Sequence, residues 1–279
     1  MKADHSIAQL CAALELRTSG YYAWVAAAPS PRQQQDAALL LQIQALHARH
    51  QGRYGAPRIQ DALARQGQCH GTKRIARLMR HARLRGLCPK RFVPRTTDSD
   101  HDQPLAPNRL AQAPAPSGPN QVWVSDLTYV PTQEGWLYVA VILDLWSRRV
   151  VGWSTGSSLQ TRWVLAALQM ALRHRQPPKG LLHHSDRGTQ YASAQYRAVL
   201  AAAGLQPSMS RAANPYDNAA MESFMATYKR ECVGLSGGYA TRAQATQDFF
   251  AYVETYYNRQ RSHSALGYQT PVDFENQLN

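Results

Sequence analysis

The chain has 279 residues, 44% hydrophobic and 18% charged, a composition that suits one large folded domain plus a smaller one and excludes a low-complexity chain. Its basic excess is concentrated: residues 1–100 hold 16 Lys and Arg against 6 Asp and Glu, a net of +10, whereas the rest holds 15 against 12, a net of +3. Four cysteines without a CxxC pair exclude a disulfide framework and a paired-cysteine zinc site, and the longest purely apolar run, residues 136–143, is too short to span a bilayer.

A basic region of this kind favours phosphate backbones, because binding releases their condensed counterions. No apolar anchor accompanies it, so nucleic acid rather than a membrane is the expected partner. The N-terminus lacks the basic start and continuous apolar run of a signal peptide, which points to a reducing, cytoplasmic setting.

Residues 5–25 read as one short helix, with Ile7, Leu10, Cys11 and Leu14 at helical spacing, ending near Gly20 before Tyr21, Tyr22 and Trp24. Pro29 and Pro31 break the chain, and a second helix follows from Gln33 to about Arg49 with Leu39, Leu40, Ile43 and Leu46 on one face. Gly52–Gly55 is a turn, and Pro57 suits the first position of a third helix through Ile59 and Leu63. Thr72 can cap a fourth, in which Ile75, Leu78 and Met79 face inward and Lys73, Arg74, Arg77, Arg80 and Arg83 mostly outward. Between Arg49 and Arg95 stand 13 basic residues and one acid, Asp61, so a helix-turn-helix-like module gripping DNA phosphates is expected. A Pro- and Ala-rich stretch then reads as a linker. The expected organisation is a helical segment over 1–32, a basic helical domain over 33–92, a linker over 93–119 and a catalytic domain with a helical extension over 120–279.

Beyond the linker the pattern changes from helices to strands, the first alternating and the second nearly continuously apolar. QVWVSDLTYVP, WLYVAVILDLW and RVVGWST read as three strands joined by short turns; a helix over 159–173, a strand over 180–184, a helix over 193–203, a strand over 205–208 and a helix over 218–230 follow. That order predicts an α/β fold with a mixed sheet flanked by helices, of ribonuclease H-like type.

Asp126 interrupts an alternating strand on the face shared by Val122, Val124, Thr128 and Val130, so its carboxylate emerges at the edge of a core and calls for a cation. Asp186 follows Leu181 and Leu182 and precedes Arg187 and Gly188, which places it at the carboxyl end of a strand. Glu222, 35 intervening residues later, shares a helix flank with Lys229, while Met221, Phe224, Met225 and Tyr228 form the apolar stripe. Asp217 or Asn218 can cap that helix. Three carboxylates on separate elements of a basic chain fit metal-dependent phosphoryl transfer on a polyanion. Asp144, before a turn, and Glu134, in one, have cheaper explanations. His183 and His184 point to opposite faces of a strand and cannot easily share an ion; one is expected to be packed and one to face the site.

The segments WVSDLTYV, HHSDRGTQY, NPYDNAAMESFMATYKRE and YYNRQRSHSALGYQTPVDF resemble the catalytic core of the insertion-sequence three family of bacterial transposases, relatives of retroviral integrases. YGAPRI followed by KRIARLMRHARLRGL is similar to the helix-turn-helix segment that precedes that core. The resemblance implies that Asp126, Asp186 and Glu222 bind two Mg2+ ions, for which Mn2+ can substitute. It also implies cleavage at element ends, followed by attack of the exposed 3′ hydroxyl on another phosphodiester. Double-stranded DNA, as element ends and target, is then the substrate, gripped by Lys229, Arg187 and Arg230 near the acids and by Arg53, Lys73, Arg74 and Arg77 in the helical domain. A homo-oligomer on DNA, a partner product of the upstream reading frame and a place at the bacterial nucleoid belong to the same expectation. The chain departs from the family in showing no sustained heptads, and Met225 and Tyr228 stand where relatives often carry Phe and Leu. Two other readings remain: a nuclease that cuts without joining, and a DNA-binding regulator with an inactive catalytic domain.

Overall fold

Helical patterns give way to strand patterns along the chain, and two structural units follow from that change. The computed structural model describes residues 5–87, 105–211 and 218–277, and it divides into units 1–86 and 87–279.

The first unit holds α1 (Ile7–Ala13), α2 (Thr18–Ala26), α3 (Pro31–Arg49), α4 (Ala56–Ala64) and α5 (Thr72–His81). Ser6 with Gln9 and Ser30 with Gln33 form capping boxes that satisfy the first N–H groups of α1 and α3. The single helix expected over 5–25 is two helices, because the chain turns after Ala13 through Glu15, which takes a left-handed φ of 54°. Tyr21, Tyr22 and Trp24 therefore lie within α2. Leu39, Ile43 and Leu46 of α3 pack against Ile59, Leu63, Ile75, Leu78 and Met79. Gly71 rather than Thr72 caps α5; the Thr72 hydroxyl bonds to Gln60 instead.

Tertiary folding also alters the expected basic face. Asp36 of α3 accepts Arg74 Nε at 2.7 Å and pairs with Arg77, so these two arginines are engaged within the unit while Lys73 and Arg80 stay exposed. Asp36 is consequently held below the usual carboxylate range by Arg77 and Arg74.

In the second unit β1 (Val122–Thr132), β2 (Gly135–Asp144) and β3 (Val150–Gly156) form an antiparallel meander, and β4 (Leu182–Ser185) and β5 (Gln206–Met209) add parallel strands in the order β3-β2-β1-β4-β5. α6 (Thr161–Arg175), a short α7 (Thr189–Ala192) and α8 (Ala194–Ala202) cover one sheet face with Trp123, Ile142 and Leu168 in the core. α9 (Ala219–Tyr228), α10 (Arg242–Phe250) and the π-helical turns Lys229–Val233 and Ala251–Tyr257 cover the other. α11 (Pro271–Asn276) ends the described chain. The fold is ribonuclease H-like, a mixed five-stranded sheet between helices. α6 can lie close on the sheet because Gly152 has no Cβ: one built there would stand 2.3 Å from the Ala167 carbonyl oxygen.

Met221, Phe224, Met225 and Tyr228 form the buried stripe of α9, and Phe249, Tyr252 and Tyr256 join the same core. Asp144, fully buried, accepts the N–H groups of Asn120, Trp146 and Ser147, so it is a structural cap for the β2–β3 turn. Within the stretch placed in the linker, Leu110 packs against the core and the N–H groups of Arg109 and Leu110 donate to Ser208 Oγ. Cys11, Cys69 and Cys232 carry unoxidised thiols, and among the described residues no helix is long and apolar enough to cross a membrane.

Candidate active site

The register of two parallel strands places the first two acids. β1 pairs with β4 with Val124 opposite His184, which brings Asp126 on β1 and Asp186, just past the end of β4, to the same end of the sheet, where the Asp186 charge acts on Asp126. Asp126 is half-buried, and its Oδ1 accepts the Leu127 N–H at 2.7 Å. Asp186 leaves the carboxyl end of β4 and turns back on itself: its Oδ1 accepts the Gly188 N–H at 3.0 Å. A Cβ at Gly188 would stand 3.1 Å from that oxygen, so glycine leaves the Asp186 carboxylate room.

Electrostatics tie the acids together unequally. Burial first, then the Asp186 charge, and more weakly the Glu222 charge, push the Asp126 carboxyl well above the usual carboxylate range; the Leu127 N–H and Lys229 oppose this. Glu222 is exposed on the first turn of α9, and its smaller upward displacement comes from burial alone. Asp126 and Asp186 are thus brought side by side, and Glu222 faces them from farther away. Among the described residues no three His, Cys, Asp or Glu side chains stand close enough to hold an ion as they are placed. The donor chemistry nevertheless fits a hard divalent cation, since two carboxylates are electrostatically coupled with a third acting on them more weakly, and burial together with the Asp186 charge disfavours ionisation of Asp126.

Asn218 was expected to cap α9 with its side chain, but its Nδ2 donates instead to the Ser125 carbonyl oxygen at 3.2 Å, which anchors α9 beside Asp126. Asp217 lies outside the described residues. Lys229, at the start of the π-helical turn after α9, places its ammonium 5.1 Å from the Tyr129 ring centroid on β1, and the Asp126 charge acts on it. Arg187 donates Nε to the Ser210 carbonyl oxygen and Arg230 donates to Thr227 Oγ1, so both are bound into the fold near the acids. Arg53, in the turn after α3, and Lys73 belong to the first unit.

Neither histidine faces the site. His183 is buried against the Tyr196 hydroxyl, 3.1 Å from Nε2, and burial and His184 push it down to about 4. His184 is buried between two serines. Ser208 Oγ already accepts two backbone N–H groups, so it gives its proton to His184 Nδ1 at 2.9 Å, and Nε2–H then donates to Ser210 Oγ at 3.0 Å. Both histidines hold β4 against its neighbours, His183 as a neutral ring.

Arg261, in the basic turn of the C-terminal YNRQRSHSALG run, is buried. Its Nε and a terminal nitrogen bind Glu231 at 2.7 and 2.8 Å, and the Tyr252 hydroxyl also donates to Glu231. Glu231 sits on the turn that carries Lys229, and a pair of partners 30 positions apart leaves no local signature in the sequence.

The Integrase core domain model matches residues 116–215 and a second Integrase core domain model residues 203–271, while an HTH-like domain model matches residues 33–92. The chain is 46% identical over 265 residues to the insertion element IS600 uncharacterized 31 kDa protein of Shigella sonnei, covering 95% of this chain and 97% of that one. It is 43% identical to the transposase for insertion sequence element IS904 of Lactococcus lactis (88% and 97% covered) and 40% identical to the transposase InsF for insertion sequence IS3A of Escherichia coli K12 (99% and 96%). Among solved structures it is similar to the catalytic core domain of BIV integrase, with 16% identity, a TM-score of 0.45 and 57% of this chain and 95% of that chain covered. It is also similar to the HTLV-2 integrase catalytic core domain in complex with magnesium, at 16% identity and a TM-score of 0.41, with 57% and 98% covered. Near-full-length identity of this order, with two core-domain matches across the carboxylates, shows that the chain belongs to the IS3 family of insertion-sequence transposases, as a second-reading-frame product built on an integrase core.

Proposed function

We propose that Asp126, Asp186 and Glu222 hold two divalent cations, Mg2+ with Mn2+ as a substitute, for cutting DNA at element ends and joining the exposed 3′ hydroxyl to a target strand. The observation that carries this reading is the side-by-side placement of Asp126 and Asp186, whose mutual repulsion needs a cation to relieve it. Bound there, the ions supply activation of the attacking oxygen and stabilisation of the leaving oxygen.

The chain's own residues do the rest. The Leu127 and Gly188 N–H groups orient one oxygen of each aspartate. Lys229 offers a positive charge beside the Asp126 carboxylate, where a substrate phosphate would otherwise meet only negative charge. The stem of Arg187 is fixed through Ser210, and Arg230 through Thr227, so both approach DNA from rigid ground. Lys73 and Arg53 of the helical unit, with Arg74 and Arg77 retaining net positive charge beyond one Asp36, serve as phosphate grips. Residues 33–92 act as the DNA-binding domain, residues 120–279 as the catalytic one, with the linker between them. Oligomerisation on DNA, a first-frame partner product and a location at the nucleoid complete the proposal.

The test uses a pre-cut, 3′-hydroxyl-ended oligonucleotide and supercoiled plasmid with Mg2+. Joined products support strand transfer; nicked plasmid without joining reduces the chain to a nuclease; uncut plasmid leaves only DNA binding. Asp126→Asn, Asp186→Asn and Glu222→Gln each abolish both reactions on this reading, with DNA binding retained. Substantial joining by any one of them removes that acid from the site.

A further inference from the structure

The end of the β1–β2 hairpin presents aromatic surface that the reaction as proposed does not use. Opposed residues of an antiparallel pair share a face, and the register sets Tyr129 opposite Tyr138 and Pro131 opposite Trp136, so Tyr129, Trp136 and Tyr138 lie on one face. The Tyr129 and Trp136 rings meet edge to face at 4.8 Å, and Trp136 remains 47% exposed. A large exposed ring costs least to bind when it is already fixed, and this one is. Arg242 donates Nε to the Trp136 carbonyl oxygen at 2.9 Å and a terminal nitrogen to the Glu134 carbonyl oxygen at 2.5 Å, while Glu134 accepts the Arg242 N–H at 2.9 Å.

Charge links this patch to the acids. The Lys229 ammonium stands 5.1 Å from the Tyr129 ring centroid and acts on Asp126. Alternation puts Tyr129 on the sheet face opposite Asp126, and because β4 pairs with β1 only over Val122–Val124, Lys229 can reach both around the strand edge beyond that pairing. A cation for the backbone beside a ring for a base is the arrangement that holds single-stranded nucleic acid.

We propose that Trp136 and Tyr129 form a stacking platform for an unpaired DNA base near the reacting phosphate, with Lys229 gripping the backbone between the platform and the acids. This rests on the strand-transfer reading of the site, and it goes further in assigning a preference for frayed or single-stranded DNA beside the reacting bond. A paired base keeps its faces stacked inside the duplex and gains nothing from the platform.

The experiment measures binding of the full chain in EDTA, where no chemistry occurs, to a blunt duplex and to the same duplex carrying a three-nucleotide unpaired tail with 2-aminopurine. Loss of stacking on one base weakens binding by about 5- to 150-fold. Trp136→Ala and Trp136→Leu are expected to lose that much on the tailed probe and less than twofold on the blunt one, and to lose quenching of the 2-aminopurine. Trp136→Phe keeps most of both. Leucine fills similar space without an aromatic face, so a Trp136→Leu variant that melts like the wild type separates stacking from folding. Wild-type binding of the tailed probe by Trp136→Leu, or equal weakening on both probes, overturns the platform. A wild-type chain that prefers the tailed probe yet joins no DNA with Mg2+ would remove the strand-transfer reading and leave the platform standing.

Discussion

Replacing Asp126 with Asn is expected to make the metal-free protein more stable while ending its activity. Asp126 lies on β1 and Asp186 just past the end of the neighbouring parallel β4, and one strand spacing sets their carboxylates about 5 Å apart. Two like charges at that distance repel by about 3 kcal/mol at an effective dielectric constant of about 20. Solvent reaching the half-buried groups leaves about 1–3 kcal/mol. Asparagine keeps an oxygen for the Leu127 N–H and removes the charge. In a unit of this size that amounts to about 3–10 °C in Tm. Because the folded Asp126 carboxyl titrates above its unfolded value, the penalty is absent below about pH 4, appears as pH rises through the unfolded value, and is full once pH passes the folded one. Thermal melts with a chelator at pH 8 should therefore place Asp126→Asn above the wild type, and the gap should close toward pH 4. Added Mg2+ should raise the wild-type Tm and leave the variant nearly unmoved. A variant that melts below the wild type in chelator at pH 8, or gains equally from Mg2+, would refute the reasoning.

Three further outcomes are expected. His183 is neutral and held at about 4 when folded, so its contribution to stability is present above about pH 6.5 and lost as pH falls toward 4. The wild type should lose about 2 kcal/mol through this group by pH 5, and urea denaturation of His183→Gln should show a correspondingly flatter slope. Arg261→Met leaves the buried Glu231 charge without its partner and is expected to cost about 3–5 kcal/mol, most of which the double variant with Glu231→Gln recovers; an additive double variant would contradict that pairing. Gly152→Ala drives a methyl group against the Ala167 carbonyl oxygen of α6 and should cost about 1–3 kcal/mol in chemical denaturation, with no effect meaning that α6 does not pack as described.

Much of the catalytic unit could be read before its structure because its signals are local. Alternation marks β1, a nearly continuous apolar run marks β2, the Met221 to Tyr228 stripe marks α9, and the polar break after Leu182 puts Asp186 at a strand end. What escaped was tertiary. Asp36 lies outside the window in which acids are scarce, yet folding returns it to Arg74 and Arg77. Arg261 sits in a polar turn that looks solvent-facing, and its partner Glu231 reveals itself only when α9 and the 251–257 turn pack together. Strand alternation leaves one histidine packed and one site-facing, and only tertiary neighbours make both structural: the Tyr196 hydroxyl of α8 for His183, and Ser208 and Ser210 for His184. Trp136 read as the first residue of an apolar strand, and its exposure follows from where the sheet's covering helices end.

The central claim, that three carboxylates hold the cations for strand transfer, is tested most directly by titrating Mg2+ calorimetrically into the wild type and into Asp126→Asn, Asp186→Asn and Glu222→Gln, each with DNA bound. Each substitution is expected to weaken metal binding at least about tenfold, near 1.4 kcal/mol, and to stop joining in the same samples. A variant that binds Mg2+ as the wild type does, or one that joins DNA without binding it, would contradict the account.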